Sequence, residues 1–512
     1  MTPARPWRWW SASGRRSGRT PVMRDIASVA EIRAAEEATM AAEPGGPDRG
    51  TSDLMLRAAE ALAQLVWQEL AGRPEPRVLL LVGPGNNGGD GLWAAQRLLQ
   101  RGVRVSCWRT APDVHAEGWA AATEAGLTEI DAAEAIAALP SIDLAIDAVF
   151  GIGARPGLPD PVATWAAAAS DIGTPVVAVD LPSGLAADRV SADAPHVRAA
   201  ITVTFGAAKL CHLAQPAASA CGRLEVVDLD LGLPPAQVRA VEPHDVAVRW
   251  PVPGPLDDKY RRGVVGIDAG SSSYPGAGIL ATTGALYAGA GMVRFLGPEQ
   301  AAQAISLRMP SVTIGPGRVQ AMLLGSGWGD RADARERIEA ALELDVPLVL
   351  DADALRSLPA SGLENCLLTP HAGELAALLD IGRTDVTADP IAAVRRAVDR
   401  TGATVLLKGA TQYVAGPGGD GDDRRVDLAV PGPAWTGQAG SGDTLAGMAA
   451  TLLAGGLTPR WAALAAASMQ AMTAARNPGP WPPDEIAARV PDTVAWLVDQ
   501  APATARLSNQ TQ

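Results

Sequence analysis

The feature that most constrains the fold is an alternation of short apolar runs with alanine-rich stretches of helical length. In the first half the apolar runs are Arg77–Val82, Val103–Trp108, Leu144–Ala148, Val176–Val179, Ile201–Thr204 and Leu224–Val227. In the second half they are Val264–Ile267, Val293–Leu296, Gln320–Leu324, Leu348–Leu350 and Thr404–Leu407. Continuous apolar runs are typical of parallel strands that are covered on both faces. The chain is therefore predicted to be α/β, with doubly wound sheets.

Length and one break in the alternation indicate the domain organisation. At 512 residues the chain is longer than one hydrophobic core usually serves. The proline-rich segment Pro234–Pro255 has no apolar periodicity, and no motif of the first half recurs in the second. We therefore predict a disordered or non-native extension at 1–22, a domain at 23–234, a linker at 235–255, a different α/β domain at 256–500 and a tail at 501–512.

Composition excludes several kinds of partner. A net charge of −13 argues against a nucleic-acid surface, which needs clustered Lys and Arg. The four cysteines are scattered without a C-x-x-C pair, so buried free thiols and a reducing cytoplasm are expected. No apolar run is long enough to span a membrane, and no signal peptide begins the chain, so no membrane association is expected. Enzymes of this size are often symmetric homo-oligomers, which is the expectation here.

The first half contains a glycine-rich turn between a strand and a helix, GPGNNGGDGL from Gly83. Such glycines let the backbone approach a ligand, and the helix start offers unpaired N–H groups. Packing alone also favours glycines, but the two asparagines and Asp90 beside them favour a binding site. Two further loops, Asp147–Pro159 and Val179–Gly184, follow apolar strands, and ligands of parallel sheets bind beyond such strand ends. Each loop's aspartate alone is equally compatible with a helix cap, but the three loops in combination predict one crevice.

These motifs, GPGNNGGDGL, DAVFGIGARPG and VDLPSG, resemble the signature loops of the NAD(P)H-hydrate epimerase domain, over about Met23–Pro234. The resemblance implies a Rossmann-like three-layer domain that binds hydrated NADH and NADPH (NADHX and NADPHX) and interconverts their R and S epimers. It also implies a potassium ion held by Asn87, Asp147 and Ser183. The substrate contacts it implies come from Asn86, Asn87, Gly88, Gly89, Asp90, Gly151, Ile152, Gly153, Ala154, Arg155, Pro156, Gly157 and Asp180.

Asp180 is the candidate proton-transfer residue of this first site, because epimerisation through ring opening needs a positioned acid or base. Lys209 is a second candidate, although the sequence favours an exposed, solvated lysine there. The helix around Leu54–Ala63 lacks a glycine usual in the epimerase domain. That departure concerns helix packing or a dimer contact more than the chemistry.

The second half contains the stronger local signal, PGPAWTGQAGSGD from Pro431 to Asp443. Its last residues open a helix, so the amides of Gly440, Ser441 and Gly442 are expected to face an anion, with the Asp443 carboxylate beside them. This pairing suits phosphoryl transfer, in which amides stabilise negative charge and the carboxylate takes a hydroxyl proton. A Ser/Asp helix cap is the alternative, but caps rarely need so many glycines.

Other strand ends of the second half are polar as well. LTPHAGEL places His371 after a strand, where it binds a ligand or merely holds the turn. VLLKGATQYV places Lys408 at the end of a buried strand, where its charge needs an anionic partner. VLDADAL and LLGSGWGD add further polar or glycine-rich strand ends.

With GIDAGSSSYPGAGIL, these segments resemble the ADP/ATP-dependent NAD(P)H-hydrate dehydratase domain, over about Leu256–Gln500. The resemblance implies a ribokinase-like α/β fold in which a nucleotide phosphorylates the ring hydroxyl of the S epimer before phosphate leaves. ADP is the nucleotide expected of a bacterial bifunctional enzyme, and magnesium is expected with its phosphates. The resemblance implies that Asp443 is the base and that Ala277, Gly327, His371 and Asp443 bind the hydrate. For the nucleotide it implies Lys408, Gly409, Ala410, Thr411, Gln412 and Gly442.

Four positions depart from the usual dehydratase pattern. Ser326 and Trp328 stand where the domain usually has Pro and Leu, and Gln412 and Gln438 stand where Thr is common. None of the four removes Asp443 or the amides at the helix start. Their effect on affinity is not readable from the sequence.

Two alternative functions remain open at this point. The second half alone also suits an ordinary small-molecule kinase, such as a vitamin-precursor kinase, because such kinases share the GSGD-type loop. LTPHAGE and the fused first domain favour the dehydratase. The first half alone also suits a binding scaffold that has lost catalysis, which its intact aspartates and asparagine pair argue against. The favoured prediction is a bifunctional NAD(P)H-hydrate repair enzyme.

Overall fold

The computed structural model describes residues 23–42, 51–417 and 424–500. The extension predicted at 1–22 and the tail predicted at 501–512 lie outside these residues. The chain divides into two compact units. The first unit is Asp25–Ala236, and the second unit runs from Gln237 onward and includes Arg24.

The first unit alternates strands and helices along its whole length. Its strands are β1 (Arg24–Ile26, which begins in the second unit), β2 (Arg77–Val82), β3 (Arg104–Arg109), β4 (Thr128–Ile130), β5 (Leu144–Ala148), β6 (Val176–Val179), β7 (Ile201–Phe205) and β8 (Arg223–Val227). Its helices are α1 (Val29–Ala42), α2 (Asp53–Glu69), α3 (Asn86–Gln100), α4 (Ala116–Glu124), α5 (Ala132–Ala138), α6 (Asp160–Ile172) and α7 (Leu210–Leu213).

Seven of these strands form one sheet in the order β4-β3-β2-β5-β6-β7-β8, and every pairing in it is parallel. This strand order is that of a Rossmann-like sheet. In such a sheet, successive strands are first added on one side of the first strand and then on its other side. Here the change of side lies between β2 and β5, so the loops after these two strands flank the crevice. The expected Rossmann-like α/β class is therefore confirmed.

The second unit is built on a larger sheet. Its strands are β9 (Val238–Ala240), β10 (Val264–Asp268), β11 (Met292–Phe295), β12 (Thr313–Ile314), β13 (Ala321–Leu324), β14 (Leu348–Leu350), β15 (Cys366–Leu368), β16 (Thr404–Leu407), β17 (Tyr413–Ala415) and β18 (Val426–Leu428). Its helices are α8 (Pro243–Ala247), α9 (Pro275–Tyr287), α10 (Glu299–Arg308), α11 (Ala334–Leu342), α12 (Ala372–Leu379), α13 (Arg383–Ala388), α14 (Pro390–Thr401), α15 (Ser441–Ala454), α16 (Pro459–Arg476), α17 (Pro483–Ala488) and α18 (Val490–Gln500).

Within this unit the strand order is β9-β18-β17-β16-β15-β14-β13-β10-β11-β12. Only β17 runs antiparallel to its neighbours, β16 and β18; the other pairings of these strands are parallel. The expected second α/β domain is confirmed. The carboxyl ends of β13, β14, β15 and β16 lie side by side, and the second site is built there.

The segment predicted as a linker, 235–255, contains a strand, a helix and buried core residues as far as Trp250. Val238–Ala240 is strand β9, which pairs in parallel with β18, and Val246 and Trp250 are buried in the core of the second unit. A three-residue strand between prolines shows no periodicity, so no pattern in the sequence identifies it. The other strands that were not predicted, β1, β4, β12, β17 and β18, are also only two or three residues long.

Helices α9 and α15 pack unusually closely in the second unit. A Cβ atom at Gly284 would lie 2.1 Å from the carbonyl oxygen of Thr444, and one at Gly447 would lie 2.0 Å from that of Ala281. The Thr451 hydroxyl also donates to the Ala285 carbonyl at 3.0 Å. Only glycine allows two helix backbones to approach this closely. The start of α15 is thereby fixed against α9.

Among the described residues, no helix is long and apolar enough to cross a membrane. All four cysteines are free and buried, as predicted.

Two candidate active sites

The first site forms where the loops after β2 and β5 touch. A Cβ atom at Gly83 would lie 2.0 Å from the Val149 carbonyl oxygen, and one at Gly91 would lie 2.5 Å from Ala148 Cβ. The glycines of this turn therefore have a packing function. Gly88 and Gly89 are also buried, against Gly83 and a methionine respectively, and their packing accounts for them without a ligand.

The three residues expected to hold potassium lie together. The buried Asp147 carboxylate accepts hydrogen bonds from the Ser183 hydroxyl at 2.6 Å and from the Ser183 N–H at 2.8 Å. The Ser183 Oγ accepts a hydrogen bond from the Phe150 N–H at 2.9 Å. The Asn87 side chain lies against Gly151, where a Cβ would be 3.0 Å from Asn87 Oδ1. Asn87 Nδ2 is buried and has no hydrogen-bond partner among the described residues.

Burial raises the pKa of Asp147 to about 6, although the hydrogen bonds from Ser183 and the Val149 N–H pull it back in part. The charged carboxylate is thus costly in this environment. Asp147, Ser183 and Asn87 offer oxygen atoms of a carboxylate, a hydroxyl and an amide. Oxygen ligands are those that hard cations prefer, so these residues fit a bound cation.

Asp180 is held by a buried lysine. Its Oδ1 accepts hydrogen bonds from Lys209 Nζ at 2.7 Å and from the Thr204 hydroxyl at 3.0 Å, and its Oδ2 accepts one from the Ile152 N–H at 3.1 Å. Burial alone would raise the pKa of Asp180, but the Lys209 ammonium outweighs it, so the pKa is lowered. Asp180 also has a φ of 68°, a left-handed conformation uncommon for non-glycine residues. It is therefore a pre-positioned, ionised carboxylate.

The expectation that Lys209 is exposed is wrong. Its side chain is 1% exposed, and Nζ also donates to Thr204 Oγ1 at 2.7 Å and to the Phe205 carbonyl at 3.1 Å. A fully buried ammonium needs this many acceptors because its charge has left water. A lysine four residues beyond a strand carries no sequence signal that separates burial from exposure.

Further carboxylates surround Asp180. Burial raises the pKa of Asp90 well above its ordinary value, and the charges of Asp180 and Glu36 raise it further. Burial and the Asp180 charge also raise the pKa of Glu36, while Lys209 and Arg33 oppose the rise. The sequence had indicated Asp90 but not Glu36, which lies in the Ala/Glu-rich helix α1 and looks like an ordinary solvated position.

The loop at 151–157 reaches this cluster by its backbone. Its Ile152 N–H binds Asp180, and the Gly157 N–H donates to the Gly184 carbonyl at 2.9 Å. Gly153 is exposed, and a Cβ there would lie 2.9 Å from the Arg33 guanidinium. Ala154 is half-buried, whereas Arg155, Pro156 and Asn86 are exposed. These residues line the surface side of the site.

The second site is centred on the start of α15. Gly440 caps the helix with a φ of 92°, and a Cβ there would lie 2.5 Å from Leu280 of α9. Glycine is therefore required at this position by both conformation and space. The Ser441 N–H donates to the Gln438 carbonyl at 3.2 Å, so this amide does not face an anion as predicted. The other amides of the first turn and the helix dipole remain, and Asp443 forms part of the same turn. This arrangement is an anion site with a carboxylate beside it.

The pKa of Asp443 in the second unit is raised into the neutral range. Burial raises its pKa to about 7; the charges of Asp351 and Asp353 raise it as well, and Lys408 lowers it. A carboxyl group with this pKa accepts a proton near neutral pH. That is the property that a general base requires.

Lys408 has an anionic partner, as its place at the end of a buried strand predicted, and that partner is Asp351. Its Nζ donates to Asp351 Oδ1 at 2.7 Å, and a Cβ at Gly442 would lie 3.3 Å from Nζ. Burial alone would lower the pKa of Lys408, but carboxylates, Asp351 foremost, raise it. The ammonium therefore stays charged beside the start of α15.

The remaining predicted residues of the second site converge on the same place. The Lys408 N–H donates to the Pro370 carbonyl at 2.8 Å, which pairs the lysine with the His371 segment. His371 caps α12, and its Nδ1 accepts the N–H groups of Gly373 and Glu374 at 3.0 and 3.1 Å. Its side chain is 60% exposed. Nδ1 is thus an acceptor, so the proton of a neutral His371 is on Nε2, which lies 3.4 Å from Glu374 Oε1.

Gly327 and Ala277 pack against each other: a Cβ at Gly327 would lie 2.4 Å from Ala277 Cβ. Ala277 is one turn before Leu280, which touches Gly440, so this pair borders the start of α15. The loop of residues 408–412 joins β16 to β17, with Gly409 and Ala410 exposed and Thr411 buried.

Of the departing residues, Gln438 has a visible structural role and Gln412 does not. The Gln438 side-chain amide donates to the carbonyls of Trp435 and Trp481 at 2.6 and 2.8 Å, which ties two loops together beside α15. The Oε1 of Gln412 is buried and has no partner within the described ranges. No role for that oxygen is visible in the structure.

Comparison with known proteins covers both sites. The family described as YjeF-related protein N-terminus matches residues 51–211, and the family described as NAD(P)H-hydrate dehydratase matches residues 265–480. The bifunctional NAD(P)H-hydrate repair enzyme Nnr of Mycobacterium tuberculosis (strain ATCC 25618 / H37Rv) is 41% identical, over 85% of this chain and 90% of its own. The Mycobacterium leprae (strain TN) protein of that name is also 41% identical, over 90% of this chain and 96% of its own.

Among solved structures, the chain is similar to an ADP/ATP-dependent NAD(P)H-hydrate dehydratase from Bacillus subtilis, co-crystallised with ATP and Mg²⁺. The identity is 23% and the TM-score 0.46, over 50% of this chain and 97% of that chain.

Proposed function

The chain belongs to the family of bifunctional NAD(P)H-hydrate repair enzymes, and from that premise we propose that the two clusters are its two active sites. The enzyme is both an isomerase and a lyase. It interconverts the R and S epimers of NADHX and NADPHX. It also dehydrates the S epimer to NADH or NADPH at the expense of ADP or ATP, through phosphorylation of the ring hydroxyl and elimination of phosphate.

In the proposed second site, Asp443 takes the proton of the ring hydroxyl. The hydroxyl oxygen then attacks the terminal phosphorus of the nucleotide, the new O–P bond forms, and AMP leaves from ADP or ADP leaves from ATP. Amides of the α15 start and the Lys408 ammonium stabilise the transferred phosphoryl group. Phosphate then departs with the C–O bond electrons, and loss of a neighbouring ring proton restores the nicotinamide double bond. The observation that carries this proposal is Asp443, with a pKa of about 7, beside Lys408 at a helix start.

The substrate and nucleotide subsites follow from their places around Asp443. We assign Ala277, Gly327 and His371 to the hydrate, because they border the start of α15. Lys408–Gln412 and Gly442 are assigned to the nucleotide, because Lys408 lies against Gly442. When bound, magnesium would neutralise charge on the nucleotide phosphates.

In the proposed first site, Asp180 is the proton-transfer residue. Its carboxylate is ionised and oriented by Lys209 and Thr204. It accepts the proton of the ring hydroxyl as the carbonyl forms and the C–N bond breaks, with the electron pair of that bond going to the ring nitrogen. The nitrogen then attacks the other face of the carbonyl, and Asp180 returns the proton to the oxygen. Asn86, Asn87, Asp90 and the loop at 151–157 would bind the dinucleotide around it.

Potassium fits the cluster of Asn87, Asp147 and Ser183. The positive charge of the ion would offset the charge of the buried Asp147 carboxylate. Hydrogen bonds from Ser183 are the main stabilisation of that carboxylate without the ion. The ion would also fix the loops after β2 and β5, which carry substrate-binding residues.

Two further features of the enzyme belong to the proposal. Free buried cysteines support work in the reducing cytoplasm. A symmetric homo-oligomer remains the expectation for an enzyme of this size, and sedimentation of the purified protein would decide it.

The proposal is tested by offering an epimer mixture of hydrated NADH with ADP and then with ATP. The wild-type enzyme should convert both epimers to NADH, measured by recovery of reduced-nicotinamide absorbance. Asp443→Asn should abolish that recovery while epimers still interconvert, because only the second site has lost its base. Asp353→Asn, which removes a nearby carboxylate but not the base, is the matched control and should keep measurable activity.

The alternatives predict different results. A small-molecule kinase would release a phosphorylated product that persists in solution instead of NADH. A first unit without catalysis would leave the R epimer unconverted in the wild type. Epimer interconversion at the wild-type rate by Asp180→Asn would refute the role given to Asp180.

A further inference from the structure

The second unit contains a buried carboxylate, Asp351, directly after β14. It is 1% exposed, and its two oxygens are fully engaged. Oδ2 accepts the Ser326 hydroxyl at 2.8 Å. Oδ1 accepts the Thr369 hydroxyl at 2.7 Å and Lys408 Nζ at 2.7 Å.

We infer that Ser326 and Thr369 position the phosphoryl-transfer lysine: their hydroxyls fix Asp351, and Asp351 holds the Lys408 ammonium beside Gly442 and away from Asp443. This inference rests on the proposed function of Asp443. Asp351 and Ser326 act through Lys408 and are positioning residues, since neither reaches the reacting atoms.

The need for such a holder follows from the chemistry of lysine. Its ammonium is a point charge on a flexible four-carbon stem, so its place is set by the anions around it. Three carboxylates attract Lys408, namely Asp351, Glu374 and Asp443, and Asp351 is the one that accepts its hydrogen bond. If Lys408 paired with Asp443, the base would be tied up and the phosphoryl group would lose its cation. A firmly fixed Asp351 keeps the Lys408 ammonium beside Gly442, where the phosphoryl group is proposed to bind.

The fixing of Asp351 depends on a close approach of two strand ends. Gly325 has a φ of 112°, and a Cβ there would lie 2.1 Å from the Asp351 carbonyl oxygen. This contact brings the next residue, Ser326, within reach of the carboxylate. Ser326 is itself fully buried, so its hydroxyl has no water to bind in place of Asp351.

Ser326 is also one of the positions at which this chain departs from the usual dehydratase pattern. A proline there has no side-chain donor, so the serine adds a hydrogen bond to Asp351. The neighbouring departure behaves alike: Trp328 Nε1 donates at 3.1 Å to Asp268, a second buried carboxylate at a strand end. Both replacements supply a donor to a buried aspartate.

The test compares Ser326→Ala with Ser326→Thr, which restores a hydroxyl, and with the control Ser468→Ala. Ser468 is equally buried and also makes one hydrogen bond, accepting the Val430 N–H at 3.0 Å, but has no contact with Asp351. Binding of ADP and ATP with Mg²⁺ is measured by calorimetric titration, and dehydratase kcat is measured against pH. Epimerase activity of the same chain reports whether the protein is folded.

In Ser326→Ala we expect kcat to fall roughly tenfold and the nucleotide Kd to rise roughly fivefold, because a misplaced cation costs transition-state stabilisation. The acid limb of the kcat profile should move down by about half a pH unit, since Lys408 now lies closer to Asp443 and favours its ionised form. Ser326→Thr should recover most of the kcat and the pH profile. Ser468→Ala should show neither the Kd nor the pH effect.

Equal kcat, Kd and pH profiles in Ser326→Ala and Ser468→Ala would overturn the inference, as would failure of Ser326→Thr to recover any of the loss. Retention of dehydratase activity in Asp443→Asn would instead refute the proposed function, whatever Ser326→Ala does. The two failures are therefore distinguishable.

Discussion

At the scale of single residues, both proposed sites are governed by carboxylates whose ionisation the fold has changed. In the first unit a buried lysine keeps Asp180 ionised, whereas in the second unit burial brings the pKa of Asp443 to about 7. The same residue type therefore performs two kinds of proton transfer. The difference lies in the charge placed beside each carboxylate.

Dehydratase activity should depend on pH through Asp443. A base must be ionised to accept a proton, so kcat should rise as pH increases through about 7, the pKa of Asp443. The measurement is the initial rate with the S epimer and saturating nucleotide in buffers of constant ionic strength. An acid limb near pH 4, the ordinary value for an aspartate, would mean that another group limits the reaction.

Removal of the lysine in the buried pair should be strongly destabilising. Lys209→Met leaves the Asp180 carboxylate buried without its cation, which typically costs about 3–5 kcal/mol of unfolding free energy. The double variant Lys209→Met with Asp180→Asn removes both charges and should recover much of that stability. Urea unfolding of the two variants and the wild type measures the coupling. A double variant no more stable than Lys209→Met would show that the ion pair is not the source of the loss.

Potassium should stabilise the enzyme in a pH-dependent way. Because burial raises the pKa of Asp147 to about 6 from an ordinary value near 4, its ionisation opposes folding increasingly as pH rises from about 4 to about 6, and fully above that. The full penalty is on the order of 3 kcal/mol. A bound cation offsets it, so potassium should raise Tm more at pH 8 than at pH 5.

Lithium at equal ionic strength is the control for a general salt effect. Asp147→Asn should remove the potassium dependence, because the charge that the ion offsets is gone. An equal rise in Tm at both pH values would contradict a role for Asp147.

The sequence predicted the residues whose polarity conflicts with their position. Asp147, Asp180 and Lys408 stand out because a charge at the end of an apolar strand requires a partner, and the structure supplies those partners. Glu36 and the buried state of Lys209 were missed. Their local sequence is compatible with a solvated surface, and only the folding of distant segments onto them makes them part of a site.

At the scale of elements, the two glycine-rich turns differ in what their glycines do. In the first turn Gly83, Gly88 and Gly91 mainly permit close contact of α3 with neighbouring strands and loops. In the second, Gly440 sets the direction of the α15 start. The long apolar strands were predicted within a residue or so, since burial on both faces leaves a clear record. Strands of two or three residues rarely do, although β14 was predicted because its three residues are all apolar and buried.

Gly284→Ala should impair the dehydratase through helix packing. The new Cβ would lie 2.1 Å from the Thr444 carbonyl, so α9 and the start of α15 must separate. Overpacking of this kind typically costs about 1–3 kcal/mol, and displacement of Asp443 should lower dehydratase kcat at least roughly tenfold. Epimerase activity, which resides in the other unit, should not change.

Gly276→Ala is the matched control, because it lies on the same helix and a Cβ there meets nothing within 4 Å. It should be neutral or slightly stabilising, as alanine favours helix. Equal dehydratase kcat in both variants would show that the close approach of α9 and α15 is not needed for the site.

At the scale of the whole molecule, one chain carries two complete sites, each built within its own unit. The dehydratase consumes one epimer and the epimerase supplies it from the other, so the released hydrate is a shared intermediate. Among the described residues, those proposed for the first site lie in 25–236 and those proposed for the second site lie in 237–500.

Two inactive variants should therefore complement each other in solution. Asp180→Asn alone should leave the R epimer unconverted at the enzyme's rate, and Asp443→Asn alone should produce no NADH. A mixture of the two should convert an epimer mixture completely, because the S epimer diffuses from one chain to the other. The measurement is the final yield of NADH with excess nucleotide. A yield no greater than that of Asp180→Asn alone would contradict independent sites.

The contact of Gly284 with Thr444 has a consequence for recombination between relatives. Helix α9 carries Ala277 at its start, and α15 carries Asp443 at its start, yet most of the second unit's sequence lies between them. Each helix fits the other only where a glycine of one faces the backbone of the other. A chimera that takes α9 from one parent and α15 from another is therefore expected to have a clash or a gap beside Asp443. Functional crossovers in this unit should keep the two helices from the same parent.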